Sequence, residues 1–267
     1  MKISIITVVY NNIKTIEQSI SSVLGQTYKN VEYIIIDGGS SDGTLKILNR
    51  YRPDIDILVS EKDQGIYDAM NKGIKLATGD LVYFLNSDDR FYDEDVLEDV
   101  VSIAKRNQTA DFFYGGVICK NIFGSDSMNI FLKEISAFSI KMGQNIKHQS
   151  LFVRREMFSE LGLFETKYKV SADYEWECRL VCASKKGLFM DRIIAYYDQT
   201  GFSSKGSWEQ YREKCGIINK HFGFPFVQIF YIQSIFKSTI VFILKKINLT
   251  GFISRVINKL KGTTLRN

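Results

Sequence analysis

Residues 81–89 read LVYFLNSDD. The apolar and aromatic run Leu81–Leu85 stops abruptly at Asn86, Ser87, Asp88 and Asp89. A short continuous run of this kind, closed by polar residues, reads as a strand buried on both faces, as the strands of a parallel sheet are. Two adjacent carboxylates directly after it repel each other and gain nothing from a core. Either they open the next helix, as cap and first-turn acids do, or they face something that carries positive charge or hydrogen-bond donors.

The same pattern recurs towards the N-terminus. Ile3–Tyr10 is a strand, followed by a helix face of Ile13, Ile16, Ile20, Val23 and Leu24. Val31–Ile36 is the next strand and Thr44–Tyr51 the next helix; Asp56–Val59 is a short strand and Tyr67–Ala77 a helix. Strands alternating with helices through short turns predict an α/β fold, with a mostly parallel sheet covered by helices on both faces. Ligands of such sheets bind beyond the carboxyl ends of the strands, where the loops gather. Three of these ends carry acids: Asp37 in DGGSSDGT, Glu61 and Asp63 in SEKDQGIYDAMNKG, and Asp88 with Asp89. A single acid there is as readily a helix cap, but three on one rim point to a bound cation or a donor-rich ligand.

Beyond residue 110 the elements shorten. Phe112–Cys119 and Asn129–Leu132 read as strands, Met157, Leu161 and Leu163 fall at helical spacing, and Asp173–Ala183 is a helix with Trp176, Leu180, Val181 and Ala183 on its apolar side. From Lys205 onward, eleven Lys and Arg face two Glu, whereas the preceding residues carry 24 basic and 28 acidic side chains. Within residues 222–261, polar and basic positions line one helical face and Ile and Phe fill the rest. Charges and amides interrupt every stretch of the length needed to span a bilayer, about 18 residues or more. A basic amphipathic tail lying on a membrane surface is therefore expected. The body of the protein, or a second copy in a homodimer, is the alternative cover for its apolar face.

Composition narrows the class. At 267 residues, 45% hydrophobic and 24% charged, the chain is of globular type. Four cysteines without a CxxC pair and only two histidines argue against a zinc site. Reduced thiols in a cytosolic setting are expected, since MKISIITVVYNN lacks the cleavage pattern of a secretory signal. No GxGxxG follows the first strand, which argues against a dinucleotide oxidoreductase. The aromatic residues of the tail follow helical faces and form no stacking groove for nucleic acid.

Taken in order, SIITVVYNN, IIIDGGSSDGT, NKGIKLATGDLVYFLNSDD, HQSLFVRREMFSELGLFE and SADYEWECRL resemble a family 2 glycosyltransferase of the GT-A fold over residues 1 to about 200. The resemblance implies a Rossmann-like GT-A domain over 1–205, with a nucleotide-sugar-binding half (1–110) and an acceptor-side half (111–205), followed by the tail at 206–267. It implies inverting transfer of a sugar from a nucleotide diphosphate donor, UDP-sugar being the expected class, to an acceptor hydroxyl. Mn²⁺ or Mg²⁺ would assist.

Such a leaving group gathers negative charge as the glycosidic bond breaks, which a divalent cation stabilises. Asp88 matches the last acid of the family's Asp-x-Asp and is the first metal ligand, with Asp89 second or supporting. Asn86 stands where the family often has the first Asp. The resemblance places Tyr10, Asp37, Asp63, Asn71, Lys72 and Asn86 with Asp88 around the donor, and His148 and Gln149 on the acceptor side. Asp173 matches the family's general base, a role that a positioned carboxylate can fill for a weakly acidic hydroxyl. Two further departures stand out: Gly38 where many relatives carry a second acid, and Ala172 where a Glu is frequent. Gly201–Ser204 resembles a closing loop. With the basic tail, the expected setting is cytoplasmic, peripheral at the inner face of the cell membrane, acting on a lipid-linked glycan in polysaccharide assembly. The rival readings are a catalytically silent carbohydrate-binding or scaffold subunit and a sugar nucleotidyltransferase.

Overall fold

The computed structural model describes residues 1–120, 128–197 and 208–246. The expected loop Gly201–Ser204 and the tail beyond residue 246 lie outside them. The described residues form β1 (Ile3–Val9), α1 (Ile16–Leu24), β2 (Val31–Asp37), α2 (Thr44–Arg50), β3 (Ile57–Ser60), α3 (Ile66–Leu76), β4 (Leu81–Phe84), β5 (Arg90–Phe91) and α4 (Val96–Arg106). They continue with β6 (Phe112–Lys120), β7 (Met128–Phe131), α5 (Ala137–Lys141), β8 (Leu151–Arg154), α6 (Glu156–Leu161), α7 (Ala172–Cys182), β9 (Gly187–Tyr197), α8 (Trp208–Phe222) and α9 (Phe224–Lys246).

The strands form one sheet in the order β3-β2-β1-β4-β8-β6-β9-β5, with β7 paired to β6. Strands β1 to β4 are mutually parallel, as the sequence pattern predicts. The second half is mixed: β8 runs antiparallel to both β4 and β6, β5 antiparallel to β9, and β6 parallel to β9. Alternation along β1 and β2 sorts side chains to two faces. Ile3, Ile5, Tyr33 and Ile35 pack with Ile16, Ile20, Leu48 and Val100, beneath α1, α2 and α4. Ile6, Val8, Ile34 and Ile36 pack on the other face with Met70, Ile74, Phe158 and Trp176, from α3, α6 and α7. Gly73 lets α3 approach closely, because a Cβ there would collide with the Ile6 side chain.

Register sets the rim. Val9 pairs with Asp37 and Asp37 with Ser60, so β1, β2 and β3 end level with one another. The first helix of the basic C-terminal region is docked on this body: Ile217 and Ile218 of α8 are fully buried in the second core cluster. Polar contacts reinforce that packing. Glu213 accepts the backbone N–H groups of Lys169 (2.7 Å) and Val170 (3.1 Å). Glu175 of α7, with no exposed side-chain surface, meets Lys220 at 2.7 Å, His221 at 2.9 Å and Arg179. Burial alone would raise the Glu175 pKa; hydrogen bonds from His221, Arg179 and Lys220 more than reverse this and hold it at about 2.

That depressed value gives a pH dependence with a definite sign. The stabilisation is complete above the ordinary carboxyl value of 4.5 and is lost as pH falls towards about 2. Acid titration should therefore release α8 in this window, reported by the fluorescence of Trp208 at its start. Glu175→Gln should remove this acid limb and lower stability at pH 7 by about 3–5 kcal/mol in denaturant unfolding, the usual result of stripping one partner from a buried charge pair.

Candidate active site

The loop after β4 is pinned from below by α1 and the turn before it. Asn12 Nδ2 donates to Ser87 Oγ at 2.8 Å, Thr15 Oγ1 to the Ser87 carbonyl at 2.8 Å, and Ser19 Oγ to the Asp89 carbonyl at 2.6 Å. The Asp89 N–H closes a turn onto the Asn86 carbonyl at 3.0 Å. Asp88 is left half-buried at the rim, while Asp89 is 2% exposed and sits beneath it.

On the β1–β3 side, Tyr10 is 65% exposed and its ring borders Gly38. A Cβ at Gly38 would strike the Asp63 carboxylate and come within 3.3 Å of the Tyr10 ring. Gly38 therefore lets Asp63 lean over the end of β2, where its Oδ1 also accepts the Gly65 N–H at 2.9 Å. Lys72 reaches the same edge and pairs with Glu61 at 2.8 Å, a contact that raises its pKa.

Two predicted donor contacts already have partners within the protein. Asp37 is fully buried; its carboxylate accepts Ser60 Oγ at 2.6 Å and the Ser40 N–H at 3.1 Å, tying the turn to β3. Asn71 is also buried. Its Nδ2 donates to the Phe164 carbonyl at 2.9 Å and its Oδ1 accepts the Phe164 N–H at 3.0 Å. This fastens α3 to the segment before α7.

The acceptor-side residues converge. Asp173 lies in the first turn of α7, where the helix dipole favours an anion. Its Oδ1 accepts the Tyr67 hydroxyl at 2.9 Å, and its Oδ2 lies 4.0 Å from His148 Nδ1. His148 Nε2 meets Asn86 Nδ2 at 2.9 Å. Donor loop and helix α7 are thus linked in the order Asn86, His148, Asp173, Tyr67. Burial lowers the His148 pKa; Asp173 opposes that shift and Lys147 adds to it. Gln149 is buried, and its carbonyl accepts the Tyr83 hydroxyl at 2.7 Å.

Sequence reasoning missed Tyr67, Glu177 and Lys214. Tyr67 lies 106 residues from Asp173, and no local pattern reports such a contact. Glu177, one turn beyond Asp173, is buried, accepts the Ile146 N–H at 3.0 Å, and leaves Oε1 without a hydrogen-bond partner among the described residues. Burial pushes its pKa well up, and Asp173 adds to the shift. Lys214 donates to the Gly143 carbonyl at 2.9 Å and lies 4.6 Å from the Tyr174 ring centroid. Its pKa is lowered by burial. Together with the Tyr174 hydroxyl on the Ile140 carbonyl (2.7 Å), these groups hold the segment leading to His148.

The donor set also fits a hard cation. Among the described residues no three His, Cys, Asp or Glu gather into a self-contained metal site. What the rim offers is the half-buried carboxylate of Asp88 near Asn86, whose buried Oδ1 has no hydrogen-bond partner among the described residues. Mg²⁺-like ions typically take one or two carboxylates and complete their shell with phosphate oxygens and water.

Residues 4–162 match the family model described as glycosyl transferase family 2. Over 207 residues the chain is 34% identical to a PGL/p-HBAD biosynthesis glycosyltransferase of Mycobacterium bovis (strain BCG / Pasteur 1173P2), covering 74% of this chain and 77% of that one. It superposes on S. aureus TarS 1-349 in complex with UDP-GlcNAc with a TM-score of 0.66 at 19% identity, over 83% of this chain and 68% of that one. It spans only 40% of the longer TarS chain. Mannosyltransferase PcManGT from Pyrobaculum calidifontis, in complex with GDP-Man and Mn²⁺, gives a TM-score of 0.62 at 18% identity over 87% of this chain and 68% of that one. These two structural likenesses identify the GT-A fold.

The raised pKa of Glu177 predicts the opposite pH response to that of Glu175. Folded Glu177 keeps its proton at pH values where the unfolded chain has lost it, so its contribution declines as pH rises above 4.5. Glu177→Gln keeps the acceptor for the Ile146 N–H and removes the ionisation. The variant should be more stable than the parent at pH 8, with the difference shrinking towards pH 4.5, in paired denaturant titrations.

Proposed function

Because the chain belongs to glycosyl transferase family 2 and is a nucleotide-sugar glycosyltransferase, we propose that Asp173 is its general base in an inverting transfer to an acceptor hydroxyl. One observation carries this reading: the Asp173 carboxylate, anchored by Tyr67, faces His148, which is itself hydrogen-bonded to Asn86 of the donor-side loop. A base for single displacement must stand beside the acceptor, across the reacting carbon from the leaving group. Asp173 stands at that junction between the two halves of the sheet.

The donor is a UDP-sugar. The exposed Tyr10 ring beside Gly38 offers a flat face for the base, with Asp63 at its edge. Asp88 is the principal protein ligand of Mn²⁺ or Mg²⁺, with Asp89 supporting it from beneath. A cation held there with the diphosphate supplies charge neutralisation for the leaving group. The chain's own residues do the rest. Asp173 takes the hydroxyl proton as the new C–O bond forms at the anomeric carbon and the bond to the diphosphate oxygen breaks, inverting the configuration. Tyr67 stabilises the ionised base and fixes which of its oxygens is engaged.

The acceptor is a lipid-linked glycan, reached from the inner face of the cell membrane. Phe224, Ile229, Tyr231, Ile232 and Ile235 of α9 are exposed. The residues from Lys205 onward carry eleven basic and two acidic side chains. Among the described residues no helix is long and apolar enough to cross a membrane. An apolar face within a basic segment suits the surface of an anionic bilayer. The 1–205 and 206–267 division then separates a catalytic unit from a region that both docks on it through α8 and approaches the membrane through α9.

A panel of nucleotide sugars with Mn²⁺ and a glycan acceptor tests the activity. Asp173→Asn should reduce transfer by about 10²–10⁴-fold, the usual worth of general-base catalysis, while nucleotide affinity by calorimetry stays within a factor of two. Unchanged turnover would remove Asp173 from the role. The full chain should co-sediment with vesicles containing anionic lipid, and paired charge-neutral substitutions of Lys245 and Lys246 should weaken this roughly thirtyfold, at about 1 kcal/mol per basic residue near the surface. Equal sedimentation with neutral vesicles would exclude the electrostatic part.

A further inference from the structure

We propose that Asn86 fixes His148 as the Nδ1–H tautomer, and that His148 Nδ1 and Asp173 Oδ2 together form a two-point clamp for the acceptor hydroxyl. The clamp deepens the preceding assignment of Asp173 as base and rests on it.

Three coupled choices determine the tautomer. The Asn86 Nδ2 group, which only donates, lies 2.9 Å from His148 Nε2, so that ring nitrogen accepts through its lone pair. A neutral ring then carries its single proton on Nδ1, the nitrogen facing Asp173. Turning the amide over would place Oδ1 against an Nε2–H and leave a bare Nδ1 lone pair pointing at a carboxylate, which repels it. The negative charge of Asp173 selects the first arrangement. The remaining state is an imidazolium; Asp173 favours it, but burial together with Lys147 outweighs that and lowers the His148 pKa.

Distance then says what the arrangement does. At 4.0 Å, Nδ1 and Oδ2 are too far apart to bond each other directly. One oxygen placed about 2.7–2.9 Å from both, ordinary hydrogen-bond lengths, completes a triangle with an angle near 90° at that oxygen. Tyr67 already occupies Asp173 Oδ1, which leaves Oδ2 for this third atom. A sugar hydroxyl fits. It donates its proton to Oδ2 and accepts from Nδ1–H with one lone pair, and its remaining lone pair then points in a single direction. Accepting a hydrogen bond slightly reduces the nucleophilicity of the oxygen. Fixed orientation offsets that loss, because misplacing a reacting atom by about 1 Å costs on the order of a hundredfold in rate.

In this scheme His148 touches the substrate, and Asn86 is a positioning residue that acts through it. The scheme also accounts for an amide at position 86. A carboxylate there would accept an Nε2–H, place the ring between two anions and draw a second proton onto it. The resulting imidazolium would pair with Asp173 and close the gap in which the hydroxyl must sit.

Imidazole ¹⁵N spectra of the full chain test the tautomer independently of turnover. With only two histidines in the chain, the signals of His148 are those missing from His148→Gln. The expected result at neutral pH is a protonated Nδ1 and a bare Nε2 in the parent, a tautomer mixture in Asn86→Ala, and both nitrogens protonated in Asn86→Asp. A protonated Nε2 in the parent, or an unchanged tautomer in Asn86→Ala, overturns the assignment to Asn86. For the clamp, His148→Gln should lower kcat/KM for the acceptor about a hundredfold, with nucleotide affinity retained and a backbone spectrum that stays folded. Unchanged acceptor kinetics with the expected tautomer would overturn the clamp alone. A parent that transfers no sugar from any donor would instead overturn the assigned activity, and leave the tautomer result standing on its own.

Discussion

Parallel pairing of β1 with β2 and β4 is the constraint from which the rest follows. Parallel strands must end on the same edge, and each crossover must return the chain beneath it. The Val9–Asp37 and Asp37–Ser60 register then makes the ends of β1, β2 and β3 level. Four successive loops have nowhere to go but one rim. Acids at the ends of separate strands, distant in sequence, become neighbours without any contact between their side chains having to be favourable. What the ligand supplies can thus be balanced against charge that folding has already gathered.

Helix α7 shows how far environment, and not residue type, sets the use of a carboxylate. Asp173, Glu175 and Glu177 lie within one and a half turns. Asp173 sits in the first turn, partly open and held by a phenol. Glu175 is buried among Arg179, Lys220 and His221, whose hydrogen bonds hold its pKa down, and it fastens α8. Glu177 is buried against a backbone amide, with one oxygen unpartnered among the described residues, and burial pushes its pKa well up. The helix therefore turns one acid to the cleft, one into a docking contact and one against a buried backbone amide.

Much of this was legible from the chain alone, for an identifiable reason. Continuous runs such as Ile3–Val9 report burial on two faces whatever they pack against, so the parallel half of the sheet and its acid-bearing ends follow directly. Legibility fails where the deciding partner is remote. Asn71 reads as a ligand contact until its amide is seen to bind the backbone of Phe164, 93 residues away. Asp37 stands at the predicted place, yet whether it faces a ligand or closes a turn depends on Ser60. Tyr67 showed only as a helix start, because a hydroxyl gives no periodicity. The docking of α8 escaped for a related reason: Ile217 and Ile218 are too few to mark a buried face within a charged helix, and the Lys220 and His221 partners of Glu175 lie 45 and 46 residues away.

The three departures from common family residues become intelligible when each is taken with its neighbours. A side chain at Gly38 would displace the Asp63 carboxylate and press on the Tyr10 ring, so one acid at the end of β2 is exchanged for an acid from the next loop. Ala172 is fully buried among apolar residues, where a glutamate would need a partner that the surrounding cluster does not supply. Asn86 can give its amide hydrogen to a histidine that faces the Asp173 carboxylate, which an aspartate could not do. In each case a charge is absent from one position because a neighbouring group already occupies the space or sets the protonation state. Asp63 and Asp88 thus bring acids to the rim from two different loops, one beside the Tyr10 ring and one after β4, while Asp173 is held by Tyr67 at the start of α7.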